Sequence, residues 1–184
     1  MSEVTSAWLM VSDVHGWDEP PTNRDGFEME LRDPQTSAVL GFAEAFEGYQ
    51  LGWDGVSEQV EPDSAYLGYV QVNPSAPIRV GNGTHLVRGF VDQSRERGFH
   101  IARAEIVHPG MLAIIGKLLN KGEIDEVELF KGGPLRLTRD QLRSSDIPVL
   151  TMSEAMRYLQ EDSDPQVVLG TCINARVQTI FSIR

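Results

Sequence analysis

With 184 residues, 41% of them hydrophobic and 23% charged, the chain is long enough for one globular domain with a proper core. Its 27 acidic residues outnumber 16 basic ones, and the formal net charge of −11 disfavours a nucleic-acid partner, because nonspecific binding to nucleic acid depends on a positive field. Cys172 is the one cysteine, which excludes an intrachain disulfide and a cysteine-based zinc site. We expect no metal in the protein.

The N-terminal residues 1–6 are neither basic nor followed by a long apolar run, which argues against a targeting segment. No window of the sequence approaches the ~20 apolar residues that a membrane span needs. The simplest expectation is therefore a cytoplasmic protein without a membrane partner.

The first part of the chain predicts antiparallel strands. Residues 7–14 (AWLMVSDV) form an apolar first strand, and the Pro-rich stretch 16–26 is a loop. Residues 27–31 alternate apolar and charged side chains, the period-2 pattern of a half-buried strand, and residues 37–46 complete an antiparallel hairpin with them. Residues 48–64 are rich in Gly, Asp and Glu and are predicted to be a long loop.

The second part alternates strands with helices. The patterns predict a strand at 66–72, a helix from about 85 to 97, a strand at 100–107, a helix at 111–121 and a strand at 124–130. A strand–helix–strand connection requires parallel pairing through a right-handed crossover. The expected fold is therefore α/β (α+β): a mixed, mostly antiparallel twisted sheet with helices on both faces.

The last part of the chain carries two short capping signals. Residues 138–141 and 151–154 both have the capping-box spacing, so each predicts the start of a short helix. Residues 167–183 are predicted to be a final strand, with a break at Gly170 as an option. We expect a single domain over residues 1–184, in which residues from about 134 onward form a C-terminal extension.

A Gly-rich turn lies between the strand at 66–72 and the helix that follows. The connection runs over residues 75–84 and contains Gly81-Asn82-Gly83. Strand, Gly-rich turn and helix N-terminus in this order form a candidate anion cradle, because the first-turn amides of a helix lack intrahelical partners. The alternative, a connection that uses glycine only to be tight, stays open.

Residues 72–74 (Val-Asn-Pro), followed by residues 81–87 (GNGTHLV), resemble motif A of the GNAT superfamily of N-acyltransferases. The order of elements from about residue 27 to 130 is similar too, and residues 41–43 (Gly-Phe-Ala) look like the family's third strand. The sequence departs from the pattern in a loop that is one residue longer. Leu118 also falls where many members carry a tyrosine that serves as general acid.

The resemblance implies acetyl-CoA, or another acyl-CoA, as cofactor and an unidentified amine as acyl acceptor. Loop amides before the helix would hold the pyrophosphate, and the strand before the loop would pair with the pantetheine arm. Arg79 lies two residues before Gly81, where the motif places its Arg or Gln three before. The binding residues that the resemblance implies are Val70, Gln71, Val72, Arg79, Val80, Gly81, Asn82, Gly83 and Thr84.

The catalytic residues are left open by the sequence. Glu44, Glu47 and His108 are candidates for the general base by their positions alone. The two carboxylates fit an acidic surface equally well, and the histidine fits a turn before Pro109 in which the backbone satisfies its ring.

Two other hypotheses fit parts of the sequence. Asp13-Val14-His15-Gly16 also resembles the opening of metallophosphoesterase domains, but four histidines cannot complete the ligand set of two metals. The stronger alternative is a GNAT-like fold without catalysis that acts as a binding or structural component of an assembly, for instance in a virion. The predicted helix face with Met156, Tyr158 and Leu159 is a candidate contact for a homo-oligomer or an assembly partner, and a lid on the sheet is the other interpretation.

Overall fold

The structure is a computed structural model. It describes residues 7–14, 25–50, 60–75, 81–132, 137–161, 166–168, 171–173 and 176–183. The strands in these ranges are β1 (Trp8–Val14), β2 (Gly26–Arg32), β3 (Val39–Gln50), β4 (Val60–Val72), β5 (Ile101–Ile106), β6 (Glu126–Lys131), β7 (Val149–Leu150), β8 (Gln166–Val168), β9 (Thr171–Ile173) and β10 (Val177–Ser182). The helices are α1 (Asn82–Glu96), α2 (Pro109–Asn120), α3 (Arg139–Ser144) and α4 (Met152–Glu161).

Eight of these strands build one mixed sheet in the order β1-β2-β3-β4-β5-β10-β6-β7. Only β4 and β5 pair in parallel, joined by the crossover through α1, and the other neighbouring strands pair antiparallel. β8 and β9 form a separate antiparallel pair. The predicted fold class, a mixed and mostly antiparallel sheet, is confirmed.

Helices cover both faces of the sheet because the strands alternate their side chains between two hydrophobic clusters. On one face, α1, α2 and α4 pack over the main core, in which the Phe90 ring lies 6.2 Å from the rings of both Phe27 and Phe181. On the other face, Leu142 of α3 packs with Phe130 and Ile180. Alternate residues of the strands therefore contribute to the hydrophobic cluster on one face or the other.

A buried ion group attaches α3 to the sheet on this second face. Arg103 of β5 and Glu61 of β4 form an ion pair with side chains only 3% and 8% exposed. The same carboxylate accepts a hydrogen bond from the backbone N–H of Arg139 at 2.6 Å, and Arg103 Nη2 donates to the carbonyl oxygen of Leu137 at 2.6 Å. These contacts connect the start of α3 to the first half of β4.

Several predicted boundaries differ from the structure. β3 continues to Gln50 and β4 begins at Val60, so both ends of the predicted loop 48–64 are strand, paired through Tyr49↔Glu61 and Gln50↔Val60. The ladder between these two long strands overrides a composition that favours loops. The predicted final strand is divided into β8, β9 and β10, and β10 enters the sheet between β5 and β6. The short strand β7 was not predicted.

Candidate functional site

A cavity of about 380 Å³ lies where β4 and β5 separate. The two strands pair over four residues, from Ser64↔Ile101 to Leu67↔Ala104, after which β4 continues beside β3 and β5 beside β10. The first turns of α1 and α2 close the opening on one side. The lining residues are Leu67, Gly68, Tyr69, Val70, Val72, Gly83, Ala104, Glu105, Ile106, Val107, His108, Gly110, Met111 and Ile114.

A bulge in β4 marks the point of separation. Glu44 pairs with Tyr69 and the next residue of β3, Ala45, pairs with Leu67, so Gly68 is an extra residue in the ladder. A Cβ at Gly68 would lie 2.3 Å from Cε2 of Phe46, so any side chain at this position requires the Phe46 ring to move. Bulges increase the local twist of a strand. Beyond the bulge, the backbone groups of β4 that face away from β3 no longer pair with β5. They border the cavity.

The N-terminus of α1 lies at the rim of this cavity, and the helix begins at Asn82 instead of near His85, the predicted start. Its N-cap, Gly81, has a φ of 114°, in the left-handed region that favours glycine, and no side chain caps the helix. The His85 N–H donates to the Gly81 carbonyl oxygen at 2.9 Å. The first-turn amides before His85 therefore have no intrahelical acceptor, which is the usual feature of an anion-binding helix N-terminus.

Gly83 brings three elements together at the cavity. A Cβ there would lie 3.1 Å from Cδ1 of Ile114 in α2 and 3.7 Å from Cγ2 of Val72 in β4. A glycine at this position therefore lets the start of α1 approach both neighbours closely. The two glycines of the predicted cradle thus have separate roles, a backbone conformation at Gly81 and close packing at Gly83.

The first turn of α2 forms the opposite wall. His108 is the N-cap of this helix, and its Nδ1 accepts a hydrogen bond from the Gly110 N–H at 3.0 Å. Met111 and Ile114 give this wall an apolar surface. Leu118, the position at which the resemblance expects a tyrosine, is completely buried in the core and does not line the cavity. Ile114, one helical turn earlier, does line it.

Glu105 is a cavity residue that the sequence reasoning missed. Its side chain is 9% exposed, lines the cavity from β5 and accepts a hydrogen bond from Arg176 Nη1 at 3.1 Å. A charged residue within the largely apolar segment 100–107 was the available signal. The partner residue Arg176 is distant in sequence, so the pairing has no local signature.

The candidate bases are placed in three different settings. Glu44 lies on β3 outside the cavity lining, but its Cα partner Tyr69 lines it. Burial raises the pKa of Glu44, and the neighbouring carboxylate of Glu28 raises it further. Glu47 lies at the other end of α1, where its carboxylate accepts a hydrogen bond from Arg97 Nη1 at 2.9 Å. Of the three candidates, His108 alone lines the cavity.

The predicted binding residues are brought together in part. Val70, Val72 and Gly83 line the cavity, and Gly81, Asn82 and Thr84 lie in or next to the first turn of α1. The side chain of Gln71 does not line it, and its Oε1 accepts a hydrogen bond from the Tyr69 hydroxyl at 3.0 Å. Arg79 and Val80 lie outside the described residues.

The described part of the chain contains no group of three or more His, Cys, Asp or Glu residues that are arranged to hold a metal ion. None of its helices combines the length and the apolar character that crossing a bilayer requires.

No protein-family model matches the sequence, and no curated protein matches it either. Among solved structures, the chain aligns with a diaminobutyrate acetyltransferase from Paenibacillus lautus in complex with its substrate and coenzyme A, at 12% identity and a TM-score of 0.48 over 85% of this chain and 69% of that one. It aligns with a Bacillus subtilis acetyltransferase in complex with CoA at 11% identity and a TM-score of 0.47, over 96% and 99% of the two chains. A GNAT family acetyltransferase from Elizabethkingia anophelis with acetyl-CoA bound aligns at 8% identity and a TM-score of 0.44, over 96% and 98%.

All three are acetyltransferases. Identities of 8–12% and TM-scores below 0.5 carry neither an activity nor a ligand over to this chain. The case for both depends on the cavity and on the helix that begins beside it.

Proposed function

We propose that the chain binds acetyl-CoA, or another acyl-CoA, and transfers the acyl group to an amine acceptor that is not identified. The observation that carries this proposal is the separation of β4 from β5 beside an uncapped helix N-terminus. A narrow apolar cavity with an unpaired strand edge suits the pantetheine arm, which is slender, partly apolar and able to pair through its amides. The adjoining helix N-terminus suits a pyrophosphate.

The glycine at the N-cap of α1 supports this part of the proposal. Gly81 has no side chain to block the first-turn amides of α1, and apart from its chain neighbours the nearest described heavy atom to a Cβ there would be His85 Cδ2 at 4.0 Å. The amides of Gly81, Asn82, Gly83 and Thr84 would hold the anion, and Arg79 and Val80 complete the proposed set. In a protein of net charge −11, local backbone donors are a reasonable means of binding a polyanion.

When bound, acyl-CoA supplies a thioester whose carbonyl carbon an amine can attack, with release of the thiol. The backbone of Val70, Gln71 and Val72 would align the acyl donor along β4, and such alignment of two reactants is worth ~7–11 kcal/mol. Glu105 is the carboxylate at the cavity wall and would accept the proton that the amine loses. Glu44 is a less direct candidate because Tyr69 stands between its strand position and the cavity.

A second candidate function is binding of an acyl-CoA without turnover. The specific observation behind it is the wall formed by α2, which presents Met111 and Ile114 to the cavity and no acid. The same protein would then be a ligand-binding component of an assembly. Measurements of binding and of turnover distinguish the two candidates.

The binding test adds acetyl-CoA and follows thermal unfolding. A ligand at a hundredfold excess over its dissociation constant should stabilise the protein by ~2.7 kcal/mol. Thr84→Asp places a negative charge in the first turn of α1, which favours the helix itself but repels a pyrophosphate. We expect this variant to melt slightly above the wild type without ligand and to lose the acetyl-CoA shift.

Thr84→Asn is the matched control, because it has the same size as aspartate without the charge. It should keep most of the acetyl-CoA shift. If millimolar acetyl-CoA does not stabilise the wild type, the proposed function is wrong. If Thr84→Asp binds as tightly as Thr84→Asn, the ligand is held elsewhere.

The turnover test measures acyl transfer to a panel of amines. Loss of a general base costs ~10²–10⁴-fold in rate, so Glu105→Gln should fall by about that factor while still binding acetyl-CoA. Glu44→Gln is the control carboxylate and should keep wild-type turnover. Binding by the wild type without turnover on any amine would favour the second candidate, and equal turnover of Glu105→Gln and wild type would remove Glu105 from the mechanism.

A further inference from the structure

His108 is held in one orientation by the helix that it caps. Its Nδ1 accepts from the Gly110 N–H at 3.0 Å, and the residue is part of the cavity lining. A Cβ at Gly110 would lie 3.0 Å from Nδ1 and 3.2 Å from Cε1 of that ring, which is closer than side chains normally pack. The glycine therefore leaves the space in which the ring sits against the start of α2.

The capping bond also determines where the ring proton is. A backbone N–H can only donate, so Nδ1 must be the acceptor, and in a neutral imidazole the proton then resides on Nε2. The cap leaves Nε2 as the only ring nitrogen that can contact a ligand in the cavity. In this form the ring offers a donor, which is the opposite of what a general base requires.

We propose that His108 is a hydrogen-bond donor, through Nε2–H, to the sulfur of the leaving thiolate. This inference rests on the proposed function and assigns a residue within the same site. As the C–N bond to the amine forms and the C–S bond breaks, the bonding electron pair moves to sulfur, and Nε2–H stabilises that charge without giving up its proton. Solvent supplies the proton that completes the thiol, while the amine proton leaves to Glu105.

The two walls of the cavity favour sulfur over the carbonyl oxygen as the acceptor. The bulged strand β4 borders the cavity with backbone groups that β5 does not pair, and these can serve the carbonyl. The wall from α2 provides His108 and apolar side chains, so the ring is the polar group available on that side. A donor fixed before the reaction needs no rearrangement when charge develops.

The test compares His108→Ser with His108→Ala. Serine is a good N-cap and alanine is not, so only the alanine variant should lose stability, by about 2–4 °C in melting temperature. Neither variant has the Nε2 donor, and loss of one such donor lowers kcat by about 10²–10³-fold. We expect both variants to lose kcat equally on the most active amine of the panel while binding acetyl-CoA as the wild type does. If His108→Ser retains wild-type kcat, the histidine is a cap only and the inference is overturned.

A binding measurement tests the assignment to sulfur without turnover. The affinity of the wild type for free CoA, relative to acetyl-CoA, should rise between pH 7 and 9, because the thiol begins to ionise to the thiolate that Nε2–H would stabilise. His108→Ser should bind with a ratio that does not change over this range. A flat ratio in the wild type would overturn the assignment, even if kcat depends on His108.

These outcomes separate the inference from the proposal on which it rests. If the wild type does not bind acetyl-CoA or transfers no acyl group, the proposed function itself fails. If the wild type transfers the acyl group and His108→Ser is equally active, the proposed function stands and only the role of His108 is wrong.

Discussion

The two halves of β4 differ in the contacts that they make with the neighbouring strand β5. The first half is paired with β5 over Ser64–Leu67 and carries Glu61, whose carboxylate is buried with Arg103. The second half begins at the bulged Gly68, has left β5 and borders the cavity. One strand therefore belongs both to a part of the sheet that is paired on both sides and to the candidate site.

This difference shows how a stable sheet can contain an opening. Separating two central strands exposes backbone donors and acceptors, and each unpaired buried group costs about 1–3 kcal/mol. The ladder and the ion group of the first half fix the relative position of β4 and β5, while the bulge and the small residue Gly83 shape the second half. Changes in the first half should act on stability, and changes in the second half should act on the cavity.

The largest effect is expected from removing the charge of Glu61. Glu61→Gln keeps the size of the side chain but leaves the buried guanidinium of Arg103 without its carboxylate, and breaking a buried pair in this way costs about 3–5 kcal/mol. For a chain of this length the melting temperature should fall by roughly 10 °C. Thermal unfolding followed by circular dichroism measures the change.

Asp63→Asn is the control for this prediction. Asp63 also pairs with Arg139, at 2.6 Å, but its side chain is 61% exposed, and exposed pairs contribute about 0–1 kcal/mol. Its melting temperature should stay within about 3 °C of the wild type. Equal losses of melting temperature in both variants would show that burial of the Glu61–Arg103 pair does not make it more stabilising than an exposed pair.

A smaller effect is expected at the bulge. In Gly68→Ala, the new Cβ would lie 2.3 Å from Cε2 of Phe46, so this ring must leave its stacked position on Tyr66, where the ring centroids are 6.4 Å apart. Overpacking of this kind costs about 1–3 kcal/mol. The same change should weaken acetyl-CoA binding, because Gly68 lines the cavity.

A double-variant cycle tests the cause. In a Phe46→Leu background, the shorter side chain gives the new methyl group room, so Gly68→Ala should then cost little stability. Additive losses in the cycle would mean that the ring is not the obstacle and that the backbone of the bulge itself requires glycine.

Local signals in the sequence predicted much of the fold. The capping box at Thr138 is present as expected, with Gln141 N–H donating to Thr138 Oγ1 at 3.2 Å and Thr138 N–H to Gln141 Oε1 at 2.9 Å. These signals involve residues within four positions of each other. The insertion of β10 between β5 and β6 joins residues more than 40 positions apart, and nothing in the local pattern specifies it.

In the candidate site, too, some features have a local signal in the sequence and others depend on residues that are distant in sequence. Gly81 and Gly83 could be singled out in advance because a positive φ and a close approach both favour glycine, and glycine is visible in a sequence. Glu105 and Arg176 could not be paired in advance, since their contact exists only once β10 has joined β5. The role of His108 as N-cap depends on ring geometry and not on residue type alone.

The smallest effect is expected from Glu44, whose cross-strand partner Tyr69 lies in the second half of β4. Its pKa is raised by burial and by Glu28, so the ionised carboxylate is less favourable in the folded than in the unfolded chain. Glu44→Gln should therefore raise the melting temperature at pH 7 by about 1 °C, as expected for relief of one cross-strand like-charge pair. The stability that protonated Glu44 contributes is complete below the ordinary carboxyl pKa and is lost as pH rises through its raised value. The gain from Glu44→Gln should accordingly disappear below about pH 4, the ordinary carboxyl range. A gain that is independent of pH would mean that packing, and not charge, limits stability at this position.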